Sequence, residues 1–318
     1  MPNPGRLQHL PLPLFAAPMG VGGLGMAWRE AARGLGAPGM IGEALLLLAA
    51  LLWLALLVLH AVRGARHPEA LLADLRHPVR ASFAGAVTIG VMIIAGALAP
   101  YDPALAADVW LVGVVGHLGM AVWTVRGLLG APKQAAVLTP PLLIPLVGNI
   151  LAPVFGATLG FPLLNWMLFG IGAALWVMLQ PLLLGRLIMG PPLPGPLRPT
   201  LAIFLAPPAV GALALAGLTG EFGPAPLACL GLALLVAAVL LTLVGEFARG
   251  PFALSWWGWT FPSTALAIAV QAAARAYPAA WQAPLLWLVL LAASGVVGLV
   301  CLATLRRLLD GRLLVAEG

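Results

Sequence analysis

Residues 39–62 read GMIGEALLLLAALLWLALLVLHAV, and this stretch decides the fold. It carries one charged side chain, Glu43, near its start. At 1.5 Å of rise per residue, about 20 apolar residues in a helix cross the roughly 30 Å of hydrocarbon in a bilayer. Inside lipid, each backbone polar group must be satisfied within its own segment, so the stretch is predicted to be a transmembrane helix.

Runs of the same kind recur along the whole chain. Of the 318 residues, 62% are hydrophobic and 8% are charged, whereas a soluble domain carries roughly 25% charged residues. The first run lacks the cleavage pattern of a signal peptide. We therefore predict an all-α integral membrane protein, a single transmembrane domain over residues 1–318. Its ten spans are expected at about 12–32, 39–62, 80–99, 105–126, 138–158, 163–185, 199–219, 225–247, 253–275 and 281–304.

The basic residues predict which side of the membrane each loop faces. Of the sixteen lysines and arginines, the ten-span topology places only Arg29, Arg33 and Arg275 on one side. The others, among them Lys133, lie on the side of the N-terminus. The basic-rich side should be cytoplasmic, so both termini are predicted to be cytoplasmic, which requires an even number of spans. A single lysine among the sixteen is typical of a GC-rich bacterial genome, which favours a bacterial inner membrane.

Composition and motifs argue against several other classes of protein. The net charge of +6 suggests nucleic acid at first sight, but the basic residues sit in short loops where topology explains them. No nucleic-acid partner is predicted. Cys229 and Cys301 fall in apolar runs and are expected to be buried free thiols, with no metal site. No nucleotide, zinc-protease or dinucleotide motif is present, so neither an enzyme nor a cofactor is predicted.

The odd-numbered spans differ from the even-numbered ones. The even spans are rich in leucine and almost free of proline, Pro181 being the exception, and the third span carries Gly85, Gly90 and Gly96. A proline kinks a helix and is tolerated in a membrane where protein or water covers the freed carbonyl. We therefore predict five hairpins, with odd helices inside and even helices facing lipid or neighbouring subunits. The alternative is that proline and glycine are simply common in membrane helices. The other odd spans contain Pro18, Pro145, Pro153, Pro207, Pro208 and Pro262.

Ionisable side chains inside a bilayer usually mark ion or proton pathways, and the predicted spans contain few. Glu43 and Asp108 lie at span ends, and His60 is expected at an interface. His117 is interpreted as a satisfied histidine near the interface, with a proton relay as the alternative. Because no buried carboxylate is predicted, proton-coupled pumping is not expected.

An uncharged path can still favour anions. Kinked helices expose N–H groups, and helix N-termini carry partial positive charge. Arg80 and Arg198, at the predicted cytoplasmic mouth, would raise the local anion concentration or, alternatively, snorkel to headgroups. Hydroxyl and amide side chains on odd spans are further candidates, and for each one alone a hydrogen bond to its own helix backbone is the favoured alternative. They are Ser82, Thr88, Asn149, Thr158, Thr260, Ser263 and Thr264.

Six short motifs are distributed in order along the ten predicted spans. They are PLFAAPMG at 13–20, GMAW at 25–28, HPVRASF at 77–83, QPLLL at 180–184, LAPP at 205–208 and WWGWTFP at 256–262. In this order they resemble the tellurite-resistance/dicarboxylate transporter family, which includes bacterial TehA and the plant guard-cell slow anion channels. Gln180 departs from the family pattern, because many relatives carry glutamate there.

The resemblance implies a homotrimer with one pore per subunit, lined by the odd helices and selective for small inorganic or organic anions. It also implies a phenylalanine that plugs the pore at mid-membrane, and by position this is Phe261. The kink at Pro262 would swing neighbouring side chains off the helix face, and an aromatic ring in a narrow uncharged pore blocks ions by sterics and dewetting. Ordinary packing against lipid or helices is the alternative for Phe261.

The sequence therefore predicts an anion channel gated by Phe261. A secondary carrier or exporter for dicarboxylate, sulfite or tellurite oxyanion is the alternative within the same family. A membrane scaffold or an enzyme would be a different class, and an assay of anion flux with purified protein separates both from transport.

Overall fold

A computed structural model describes residues 4–130, 135–247 and 249–315. Within these ranges all regular secondary structure is helical and there is no strand, which confirms the all-α prediction. Lys133, counted above on the basic side, lies outside the described residues.

The described chain contains α-helices joined to shorter 3-10 helices. The α-helices are α1 (Ala16–Gly34), α2 (Gly39–Arg66), α3 (Pro68–Arg76), α4 (Pro78–Ser82), α5 (Gly85–Leu98), α6 (Pro103–Leu129), α7 (Leu143–Val147), α8 (Ala152–Gly156), α9 (Pro162–Met189), α10 (Ala206–Thr219), α11 (Pro224–Phe247), α12 (Thr260–Ala276) and α13 (Gln282–Leu309). The 3-10 helices are Pro4–His9, Leu12–Phe15, Ala135–Val137, Pro140–Leu142, Gly148–Leu151, Gly195–Leu205 and Leu254–Trp259.

Each predicted even span is one uninterrupted helix, whereas each predicted odd span is composite. The continuous helices are α2, α6, α9, α11 and α13, and α9 accommodates Pro181 without ending. The odd spans, here called the broken segments, change helix type or turn partway along. The first, third, fifth, seventh and ninth broken segments cover residues 12–34, 78–98, 140–156, 195–219 and 254–276.

The prolines of the broken segments mark the points where α-helix begins. In the first, fifth, seventh and ninth segments a 3-10 helix turns into α-helix, and a proline lies within the first three residues of the new α-helix. There its missing N–H costs no helical hydrogen bond, because the first four N–H groups of a helix have no partner within it. The predicted kinks are therefore helix starts, at Pro18, Pro145, Pro153, Pro207, Pro208 and Pro262.

Seven of the described helical stretches are long and apolar enough to cross a membrane. They are the five continuous helices and the third and seventh broken segments. In the third and seventh segments 67% and 61% of the apolar window is buried, against 17% in α2 and in α11. The broken segments therefore lie inside the molecule, and the continuous helices expose apolar side chains. That all ten segments cross a membrane stays a prediction.

Contacts among the broken segments close into a ring. Helix α1 packs on α5, α5 on α8, α8 on α10, α10 on α12, and α12 on α1. Each continuous helix packs on the broken segment that precedes it in the chain. At the contact between α1 and α12, a Cβ on Gly20 would overlap Thr260 Oγ1, and one on Gly23 would overlap Thr264 Oγ1. Glycine at these two positions therefore permits the close approach that completes the ring.

Candidate functional site

Two cavities lie in succession along the axis of the ring. The smaller has a volume of about 60 Å³ and is lined by all five broken segments. The larger has a volume of about 460 Å³ and is lined by the same five segments and the turn at Ala99–Pro100. In every segment the lower residue numbers line the smaller cavity and the higher numbers line the larger one. The five segments therefore run parallel past the axis.

The wall of the smaller cavity is apolar. Met19, Phe83, Ile144, Ile203 and Trp257 supply one side chain from each broken segment. The starts of α1, α10 and α12 also form part of this wall. A narrow apolar space of this kind excludes water and hydrated ions, while the adjacent helix N-termini supply partial positive charge.

The larger cavity, here called the vestibule, is charged at its rim. Arg29, Glu30 and Arg33 line it from the last turns of α1, and Thr158 lines it from the turn just after the fifth segment. In the predicted topology these ends face away from the cytoplasm.

Three side chains line both cavities and so form the junction between them. They are Leu151, Val210 and Phe261, one each from the fifth, seventh and ninth segments. Phe261 is 8% exposed. The sequence motif singled out Phe261 but missed the other two, because a leucine and a valine in apolar spans carry no distinguishing signal. Only the three-dimensional arrangement brings them together.

The position of Phe261 follows from the local change of helix type. The 3-10 helix Leu254–Trp259 turns into α12 at Thr260, and Phe261 is the second residue of that α-helix. The hydroxyl of Thr264 donates to the Phe261 carbonyl at 2.9 Å. On the other side, a Cβ on Gly23 would lie 3.1 Å from the Phe261 ring, so α1 backs the ring closely.

The hydroxyl candidates donate hydrogen bonds to backbone carbonyls of their own segments, which is the alternative given for them above. Apart from Thr158, none of these candidates lines either axial cavity. The side chains of Thr260 and Thr264 face Gly20 and Gly23 of α1 instead. The hydroxyl donations are Ser82 to Pro78 O (3.0 Å), Thr88 to Gly85 O (3.0 Å), Thr158 to Phe155 O (3.4 Å), Thr260 to Trp257 O (2.8 Å), Ser263 to Trp259 O (2.8 Å) and Thr264 to Phe261 O (2.9 Å).

Two polar side chains lie behind the wall of the smaller cavity. His117 is fully buried in the middle of α6, and its place relative to the membrane interface stays a prediction. Its Nδ1 lies 2.7 Å from Thr88 Oγ1, and a Cβ on Gly148 would overlap its Nε2. Asn149, the amide candidate, is 1% exposed and lies between Gly148 and Ile150, which both line the smaller cavity.

The expectation of no buried carboxylate is wrong, because both Glu30 and Asp74 are buried. Glu30 is 7% exposed and forms ion pairs with Arg275 and, at 3.7 Å, with Arg33. The sequence did not indicate that Glu30 is buried, because Glu30 lies in the charged end of the first run, where side chains are usually solvated. Only the packing of α12 against that end buries it.

The remaining vestibule charge, Arg29, is bound by a carboxylate and by two backbone carbonyls. Arg29 donates to both carboxylate oxygens of Glu43, at 2.8 and 2.6 Å, and to the carbonyls of Gly96 and Ala97. The hydroxyl of Tyr101 donates to the same carboxylate at 2.8 Å, and this bond raises the pKa of Tyr101.

The two arginines predicted at the cytoplasmic mouth lie away from the axial cavities. Arg80 forms an ion pair with Asp74 at 2.9 Å, and Arg63 binds the same carboxylate at 2.7 Å. Asp74 comes from α3, a short helix that the span pattern did not predict, and it offsets the charge of Arg80. Arg198 Nε donates to Leu193 O at 3.5 Å.

Comparison with known proteins gives a consistent picture. The family model described as voltage-dependent anion channel (SLAC1) matches residues 9–306, which include all five broken segments. S-type anion channel SLAH2 of Arabidopsis thaliana is 27% identical over 272 residues, covering 83% of this chain and 52% of that protein. S-type anion channel SLAH3 of the same plant is 25% identical, covering 83% and 43%. The tellurite resistance protein TehA homolog of Haemophilus influenzae is 28% identical over 200 residues, covering 62% and 61%. The chain thus spans about half the length of the plant relatives.

Proposed function

The chain belongs to the voltage-dependent anion channel family, and from that premise we propose that it passes small anions across a membrane along the axis of its five broken segments. The family resemblance drawn from the six motifs is confirmed by that match. The proposal assigns transport, and no catalytic step, to the axial cavities.

The proposed architecture is ten transmembrane helices arranged as five hairpins in one domain, residues 1–318. It is supported by the closed ring of broken segments and by the packing of each continuous helix on the segment before it. Exposed apolar side chains on the continuous helices, such as Leu51 at 56% and Val177 at 69%, suit contact with lipid or with neighbouring subunits. We propose a homotrimer with one path per subunit, in a bacterial inner membrane with both termini cytoplasmic.

The observation that carries the functional proposal is the place of Phe261 between the two cavities. With Leu151 and Val210 it separates the vestibule from a cavity of about 60 Å³. Because the wall of that cavity is apolar, an anion would have to shed hydration water to enter it. Phe261 is therefore proposed as the gate, held by the α-helix start that Pro262 marks.

Preference for anions is proposed to come from the backbone rather than from charged side chains. The N-terminal ends of α1, α10 and α12 meet the smaller cavity and carry partial positive charge. Because the hydroxyls of Ser82, Thr88, Thr260, Ser263 and Thr264 already donate to their own segments, they are assigned a structural part. Arg80 and Arg198 remain proposed residues of the cytoplasmic mouth.

The test is anion current through purified protein in liposomes. Phe261→Ala should raise conductance by more than about tenfold, a barrier lowered by about 1.4 kcal/mol. Its reversal potential should follow the gradients of a panel of anions, and the panel ranks the permeant species. Phe222→Ala is the matched control, because Phe222 is 7% exposed and lines neither axial cavity. Equal conductance in the two variants would remove Phe261 from the gate.

A second candidate is a secondary carrier or exporter for dicarboxylate, sulfite or tellurite oxyanion. It is favoured by the closed junction with a cavity on either side, an arrangement that also suits alternating access. Saturable flux with counter-transport, and no single-channel events, would establish the carrier.

A further inference from the structure

The three basic residues on the predicted outer side gather at one place. Arg29 and Arg33 line the vestibule directly. Arg275, at the end of α12, pairs with Glu30, which lines it too. The side chain of Arg275 also packs at 3.7 Å from the Cβ position of Gly34, at the end of α1. The ends of α1 and α12 thus place two of the cations in the wall of the vestibule and the third, Arg275, next to a residue of that wall.

Arg29 differs from the other two because its charge is already balanced. Its guanidinium is bound by Glu43 and by the carbonyls of Gly96 and Ala97, and its side chain is 11% exposed. It fixes the end of α1 to α2 and α5. No donor of Arg29 is therefore assigned to a ligand.

Arg33 and Arg275 share a single carboxylate. The side chain of Glu30 is 9% exposed, while those of Arg33 and Arg275 are 62% and 44% exposed. A guanidinium has five N–H donors, so each of the two keeps donors that Glu30 cannot fill. Arg33 lines the vestibule, and Arg275 binds the carboxylate that lines it beside Arg33. Their unfilled donors match the oxygens of a small oxyanion, which guanidinium groups bind in bidentate fashion.

We propose that Arg33 and Arg275 form a binding site for small oxyanions in the vestibule, and that Glu30 is its built-in competitor. In the empty site the Glu30 carboxylate occupies the position that an incoming anion would take. An anion must therefore displace Glu30 from part of its pairing with the two arginines. This competition sets the anion concentration that is needed to fill the site. This proposal rests on the proposed function, because the vestibule opens onto the Phe261 junction.

The site can be tested by binding, without any anion flux. The full-length protein in detergent is titrated with sodium nitrate, replacing sodium gluconate at constant ionic strength, and its melting temperature is recorded. Glu30→Gln keeps the shape and removes the competing charge, so the half-maximal nitrate concentration should fall about fivefold. That factor corresponds to roughly 1 kcal/mol, the attraction of two unit charges about 4 Å apart in water.

Three further variants make the result specific. Glu221→Gln removes an exposed acid on the same predicted side but outside the vestibule, and it should leave the half-maximal concentration unchanged. Arg275→Gln should abolish the nitrate-dependent shift, and Arg275→Lys should restore part of it. A purely structural Glu30 would lower the melting temperature at every nitrate concentration without moving the midpoint, and that result would overturn the proposal.

Failure of this proposal and failure of the channel proposal give different results. If nitrate binds as expected but vesicles with Phe261→Ala carry no anion current, the path is wrong and the vestibule site stands. If those vesicles conduct anions while Glu30→Gln and Glu221→Gln share the wild-type nitrate midpoint, the vestibule site is wrong and the path stands.

Discussion

The smaller cavity and the vestibule are built by the same five segments, yet they differ in both size and chemistry. One is about 60 Å³ with apolar walls, and the other is about 460 Å³ with charged residues at its rim. The smaller lies where 3-10 helix turns into α-helix and bulky side chains converge. The vestibule lies toward the far ends of the same segments, where α1 and α12 carry their charges.

Under the proposed function, the difference separates two tasks that a single uniform tube would have to combine. A charged vestibule raises the local concentration of anions, whereas an apolar constriction makes each ion lose water before it passes. Phe261 lies at the boundary between the two cavities.

The largest expected effect comes from placing a charge at that boundary. Phe261→Asp and Phe261→Asn both remove the ring and differ only by one negative charge. In a narrow space with an effective dielectric constant near 20, repulsion at about 6 Å is close to 3 kcal/mol, or roughly a hundredfold in rate. Anion conductance of Phe261→Asp should therefore be about a hundredfold below that of Phe261→Asn, with the reversal potential shifted toward cations. If the two variants conduct anions equally, the apolar junction does not control selectivity.

A smaller effect, on stability, is expected at the wall that supports the junction. In Gly23→Ala the new methyl group would overlap Thr264 Oγ1 and press on the Phe261 ring. Overpacking of this kind costs about 2 kcal/mol, measurable as a lower melting temperature in detergent.

Thr264→Ala supplies the control for that prediction, because it removes the overlapping hydroxyl and leaves a Cβ 3.4 Å away. The double variant Gly23→Ala/Thr264→Ala should recover most of the lost stability. A double variant that melts with the sum of the two single losses would show that α1 and α12 do not meet as described.

Sequence alone predicted the helical runs, and the family resemblance directed attention to Phe261, for identifiable reasons. Apolar runs of about 20 residues leave a helix as their only satisfied backbone structure, and the WWGWTFP motif at 256–262 is specific. Proline positions were also informative, but their meaning was only partly predicted. They were interpreted as kinks within α-helices, whereas Pro207 and Pro262 lie in the first turns of α-helices that follow 3-10 segments.

The rest of the candidate site depends on packing between distant segments. Leu151 and Val210 become junction residues only because the fifth and seventh segments face Phe261. Glu30 becomes buried only because Arg275, 245 positions later in the chain, packs against it. Neither fact leaves a local pattern in composition or spacing, so single-sequence reasoning had no signal to find.

The smallest expected effect distinguishes the two kinds of arginine in the vestibule. Arg29→Met should lower the free energy of unfolding by about 1 to 2 kcal/mol, because Glu43 and two carbonyls lose their donor at a mostly buried site. Arg33→Met should change it by less than about 0.5 kcal/mol, since the Arg33 side chain is 62% exposed. Both variants remove one positive charge and keep an unbranched stem, so a shared electrostatic effect cancels in the comparison. Melting temperatures that fall equally would mean that Arg29 does not tie α1 to its neighbours, and the vestibule would then have to be treated as one mobile cluster of charges.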